Sequence, residues 1–145
     1  MLFKNEDASL ELKIVNYELA EYDVIPGSDD QNWLVLRATW QDEDGEIIKD
    51  SNSCLLTYEL QEMAAGLKVL NAGIKQSYES VFQEPYFTLS AYAEGEGFRV
   101  YVSFYLPNTM DGNDTAELNV WMDHDQMGAL VAELDQLCAK YPDRK

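Results

Sequence analysis

A chain of 145 residues that is 46% hydrophobic has the length of one domain and the composition of a globular protein, enough to build a core without disulfide staples. Its 27 acidic residues against 10 basic ones leave a formal charge of −17, a surface that repels nucleic acid and anionic membranes and attracts cationic proteins. No charged-then-apolar leader opens the chain and no apolar run approaches the ~20 residues of a membrane span, so a cytoplasmic protein is expected.

In chain order, Leu10, Leu12 and Ile14 alternate with Glu11, Lys13 and Val15 in a first strand that fades at Tyr17. Glu18 to Asp30 carries five acidic residues and no basic one, and Ile25-Pro26-Gly27-Ser28-Asp29-Asp30 is turn chemistry. Trp33 to Trp40 reads as a strand, Asp42-Glu43-Asp44-Gly45-Glu46 as its reversal, and Glu46 to Ser51 as the return. A helix follows from Thr57 to Ile74: Leu60, Met63, Ala64, Leu67, Leu70 and Ile74 share one stripe, Thr57 is the expected N-cap, and Glu59 suits the first turn.

The stretch from Glu84 to Leu106 writes a hairpin. Phe87, Leu89, Ala91 and Ala93, then Phe98, Val100, Val102, Phe104 and Leu106, alternate with polar and aromatic residues on either side of Glu94-Gly95-Glu96-Gly97. After a polar loop from Asn108 to Thr115, Leu118, Val120 and Met122 mark a last strand. Met127, Leu130, Val131, Leu134, Leu137, Cys138 and Tyr141 then trace a second helix, opened by an Asp123/Gln126 capping box and stopped by Pro142. The expected architecture is α+β, a single domain over 1–145. It has about six mainly antiparallel strands in the order β-β-β-α-β-β-β-α and two helices packed on one face. The repeated β-β-β-α hints at duplication.

Catalytic chemistry is sparse. His124, the only histidine, lies in Asp123-His124-Asp125, where the start of a helix accounts for both aspartates without a metal. Asp42 to Glu46 and Asp111-Gly112-Asn113-Asp114 lack the ligand spacing and closing glutamate of an EF-hand loop. Cys54, near the start of the first helix, and Cys138, on the stripe of the second, are expected as reduced core thiols. No phosphate-binding glycine loop occurs, so no cofactor, no metal and no enzymatic activity are expected, and an acidic metal-dependent enzyme trails the other readings.

Binding chemistry is richer. With the helices on the aliphatic side of the sheet, Tyr92, Tyr101, Tyr105 and Trp121 share its opposite side, and such residues are frequent interface anchors. Asp42, Glu43, Asp44 and Glu46 are the expected charged rim, speeding association with a basic partner. The same tyrosine face serves a second reading, a non-catalytic adaptor domain that homodimerises through it.

Asn32-Trp33-Leu34, Cys54-Leu55-Leu56-Thr57-Tyr58-Glu59-Leu60 opening the first helix, Glu84-Pro85 and Lys140-Tyr141-Pro142 together resemble the pattern of the WapI-type immunity proteins. The likeness runs in order along nearly the whole chain. It departs at Asn52-Ser53, where an aspartate-proline is expected, and at Gly66, where a bulkier residue is expected. The resemblance implies a small cytoplasmic protein that binds and neutralises the toxic C-terminal domain of a contact-delivered or secreted toxin, often a nuclease.

Overall fold

The computed structural model describes residues 1–19, 29–108 and 114–144. Eight strands and two helices follow one another as β1 (Leu2–Lys4), β2 (Ser9–Tyr17), β3 (Trp33–Gln41), β4 (Ile47–Leu56), α1 (Thr57–Asn71), β5 (Ser77–Glu79), β6 (Phe87–Glu94), β7 (Gly97–Leu106), β8 (Asp114–Asp123) and α2 (His124–Lys140). A 3-10 turn at Asp29–Asn32 leads into β3. The strands form two four-stranded antiparallel sheets, β1-β2-β3-β4 and β5-β6-β7-β8, each a meander followed by a helix. The class is the expected α+β. The single six-stranded sheet is corrected to two sheets of four, and the hinted repeat becomes ββββα written twice. Two three-residue strands, β1 and β5, account for the difference, being too short to show alternation.

Alternation does govern the long strands. In β7 Phe98, Val100, Val102, Phe104 and Leu106 are buried, while Tyr101 between them is exposed. The buried faces of both sheets and the stripes of both helices join one core that includes Phe3, Leu10, Leu36, Leu67, Phe87, Phe104 and Leu134. The helices touch each other: Lys68 pairs with Asp135 at 3.0 Å, and His124 Nδ1 lies 3.0 Å from Asn71 Oδ1. Leu134 is fully buried, so Leu134→Ala is expected to cost ~3 kcal/mol in chemical unfolding. A loss under ~1 kcal/mol would take that residue out of the core.

At α2 the expected capping box is present: the Asp123 carboxylate accepts from Gln126 N at 2.8 Å and the Gln126 side chain accepts from Asp123 N at 2.9 Å. At α1 the N-cap is Leu56, not Thr57, and the strand β4 runs straight into it. Cys54 therefore lies near the start of the helix, as expected, but within β4. Glu59 does the capping from inside the helix, its Oε1 accepting from Leu56 N at 2.9 Å. Thr57 is freed to donate its hydroxyl to Asp143.

The other end of α1 also differs from the expected span. Gly73 takes φ +76°, and Ile74 N bonds Val69 O at 3.0 Å while Gly73 N bonds Leu70 O at 3.1 Å. This is a Schellman closure, which a left-handed glycine makes possible. It ejects Ile74 from the stripe, leaving it 73% exposed. Gly66, the departure noted within this helix, faces the Tyr78 ring, and a Cβ there would lie 2.3 Å from it.

Candidate functional site

The outer face of the second sheet is set by register. Tyr92, Arg99 and Trp121 form one cross-strand row, Ser90, Tyr101 and Asn119 the next, and Thr88, Ser103 and Glu117 a third. Tyr92, Tyr101 and Trp121 are 36%, 48% and 43% exposed, so neither helix covers them. Tyr92 and Tyr101 meet edge to face with ring centres 5.9 Å apart. Tyr105 stands on the same face but is only half-exposed, stacked on Tyr86 at 5.5 Å. All four aromatic candidates thus share one side of the sheet.

Polar contacts hold these side chains in place. Arg99 grips Glu94 Oε2 through Nε at 3.1 Å and Nη2 at 2.9 Å, and Trp121 Nε1 donates to Glu94 O at 3.3 Å. The Tyr92 hydroxyl donates to Glu79 Oε1 at 2.6 Å, a bond that raises its pKa. The Trp121 ring lies against Gly97, where a Cβ would be 2.5 Å from the ring and 2.3 Å from Met122 O. Only a residue without a side chain fits under that indole.

The acidic turn sits elsewhere, between β3 and β4 of the first sheet. Asp42 is largely spent on the turn itself: its Oδ1 accepts from Asp44 N and Glu46 N, both at 2.9 Å. Glu43, Asp44 and Glu46 are exposed and carry the outward charge. What joins this turn to the aromatic face is the β1–β2 reversal, Lys4 to Ala8. One hollow of about 230 Å³ lies between that reversal and Asp42, Glu43 and Gly45. Another, of about 500 Å³, lies between the reversal and Arg99, Asn119 and Trp121. Asn5 Nδ2 crosses to Asn119 O at 3.1 Å. The reversal, with Glu6 and Asp7 exposed, was not singled out from sequence, although Asn5-Glu6-Asp7 is turn composition.

The acidic segment from Glu18 to Asp30 lies mostly outside the described residues, as does most of the Asn108 to Thr115 loop. Among the described residues no three His, Cys, Asp or Glu side chains converge as metal ligands, and no helix is long and apolar enough to cross a membrane. His124 is exposed, its ring edge-on to Phe98 at 4.9 Å. Cys54 is buried and Cys138 half-buried, both as free thiols, and burial is the largest cause raising the pKa of each.

The stretches that carried the resemblance are tied to distant parts of the chain, in three of the four contacts to a residue that flanks another such stretch. Asn32 Oδ1 accepts from Arg144 N at 2.7 Å, the Thr57 hydroxyl reaches Asp143, and the Tyr17 hydroxyl donates to Pro142 O. Arg144 Nε donates to Gln31 O at 2.8 Å, with its guanidinium carbon 3.9 Å from the centre of the Tyr17 ring. Glu59 Oε2 accepts from Gln83 N at 2.8 Å, next to Glu84-Pro85. These motifs are the seams of the fold rather than reactive groups.

No curated protein matches the chain. Among solved structures it is similar to WHY1 from Arabidopsis thaliana, with TM-score 0.51 and 12% identity over 97% of this chain and 88% of that one. WHY3 from the same plant gives TM-score 0.49 and 12% identity over 97% and 86%. At such identity the likeness to WHY1 concerns the fold alone. The family model described as immunity protein WapI-like matches residues 1–142, nearly the whole length over which the seam motifs are spread, and the chain belongs to that family.

Proposed function

We propose that this protein binds and neutralises a basic toxic domain, a nuclease, holding it against the outer face of the β5–β8 sheet with the β1–β2 reversal and the Glu43–Glu46 turn as an acidic flank. Membership of the immunity family implies a cognate toxin as partner, and the family is generally non-catalytic. The observation that carries the choice of surface is the row-by-row register that leaves Tyr92, Tyr101 and Trp121 facing solvent together. Large rigid aromatics lose little entropy on docking and dominate interface energetics. A nuclease is basic where it holds phosphate. The charge of −17 suits such a partner and disfavours a second copy of the same chain across this face.

Two sets of substitutions separate the two roles. Tyr101→Ala should raise the dissociation rate from the toxin domain by the equivalent of ~2 kcal/mol, about 30-fold. Glu43→Lys with Asp44→Lys should chiefly slow association, an effect that fades as salt is added. The two are read by surface plasmon resonance at two ionic strengths. Unchanged rates in both sets would place the contact on another surface.

A further inference from the structure

Tyr101 stands between two hollows on the outer face whose chemistries differ. One, of about 470 Å³, is lined by Tyr92 and the Arg99–Glu94 pair, so its charges already neutralise each other. The other, of about 390 Å³, is lined by Thr88, Ser90, Ser103, Glu117 and Asn119 along with Tyr101. Its one ionised group is the exposed Glu117 carboxylate, and no Lys or Arg among the described residues pairs with it. No basic residue occurs in the sequence between Arg99 and Lys140, so the strand that carries Glu117 supplies none.

The remaining groups are hydroxyls, which both donate and accept, the Asn119 amide, whose Oδ1 already accepts from Arg99 Nη1 at 3.4 Å, and a π face. Thr88 Oγ1 and Ser103 Oγ share a hydrogen bond at 2.5 Å, and each oxygen keeps a lone pair for a further donor. The Tyr101 ring forms the side wall, a surface that attracts a cation through its quadrupole. An anion placed here would face Glu117 with no cation to hold it. An apolar side chain would desolvate the carboxylate and hydroxyls without replacing their bonds to water.

Resting on the immunity reading above, we propose that this hollow receives one lysine or arginine side chain of the toxin domain. The ammonium or guanidinium pairs with Glu117, donates to the hydroxyl oxygens and lies against the face of the Tyr101 ring. Glu117 is thereby the residue that reads the partner's charge at the interface, whereas the flank at Glu43 to Glu46 acts at a distance.

The test proceeds in two stages so that the two readings fail separately. The protein is first co-expressed with toxic C-terminal nuclease domains, and one whose growth arrest it relieves is carried forward. Relief of none overturns the immunity reading, and this proposal with it. With the purified complex, Glu117→Gln keeps the shape and removes the charge. It is expected to speed dissociation ~10-fold and to lower the salt dependence of the dissociation constant. Tyr101→Phe keeps the ring and is expected to stay within about twofold of wild type, whereas Tyr101→Leu should dissociate ~10-fold faster. Thermal melts of each variant check that the exposed substitutions leave the fold intact. A Glu117→Gln complex with wild-type rates and salt dependence overturns the assignment, as does a Tyr101→Leu complex no faster than Tyr101→Phe.

Discussion

Glu59→Ala should lower the unfolding free energy by roughly 3–6 kcal/mol, because one buried carboxylate closes two backbone gaps at once. The side chain is 2% exposed; Oε1 accepts from Leu56 N at 2.9 Å and Oε2 from Gln83 N at 2.8 Å. Alanine leaves the first N–H of the helix cap and the N–H of the 80–86 connection without that acceptor, and losing each bond to a charged group costs about 1.5–3 kcal/mol. The connection matters to the core, since Phe82 stacks on Phe87 at 5.6 Å. Glu59→Gln keeps one acceptor oxygen and turns an amide N–H₂ toward the other donor, so it should recover only part of the loss. Urea denaturation of the three proteins decides the matter. A Glu59→Ala loss below ~1 kcal/mol would mean that water or another group satisfies both N–H groups.

Alkaline pH is expected to destabilise the protein through Cys54. The thiol is fully buried in β4, and desolvation, reinforced by the nearby Glu59 and Glu84 carboxylates, pushes its pKa from 9.0 up to about 12. Below pH 9 both folded and unfolded chains keep the proton, and the stability is fully present. Between pH 9 and 12 the unfolded chain releases it while the folded chain cannot, so stability falls by ~1.4 kcal/mol per pH unit. The Cys54 share of that fall is roughly 3 kcal/mol by pH 11. Tyr78, raised to about 12 by burial and then by Glu62 and Glu59, acts in the same direction. The measurement compares urea midpoints at pH 8 and pH 11 for wild type and Cys54→Ala. The variant should lose the smaller amount between the two pH values; equal losses would show that the Cys54 thiolate is tolerated in the fold.

Legibility followed periodicity. The β6–β7 hairpin and α2 were plain in the sequence because eight or more residues in each repeat a single period and carry their own punctuation, Gly95-Glu96 in one and the Asp123/Gln126 box in the other. Cys54-Leu55-Leu56 misled because all three are buried, and a run without a polar face reads equally as strand or helix. The division into two sheets could not be read at all. Period two reports which residues share a face, but nothing in it says which strands share a sheet. The aromatic row of the candidate site was legible for the same reason the hairpin was. Its link to the acidic turn was not, since that link is the packing of the β1–β2 reversal against Arg99 and Asn119, more than 90 positions away in the chain.

The meander order of both sheets bears on how the chain reaches this state. Within each sheet every strand bonds to its neighbour in sequence, so each sheet can zip from hairpins and pays only the closure entropy of the connecting segments. The far-separated contacts, Asn5 on Asn119, Arg144 on Asn32 and Asp143 on Thr57, belong to the joining of the two ββββα units and of the tail. Until that joining, Leu34 and Leu36 on one meander and Val100 and Val102 on the other present apolar faces to water. An encounter between two chains in that interval would favour aggregation. The −17 charge on each holds them apart, so the acidity that suits a basic partner also guards the half-assembled chain against its own kind.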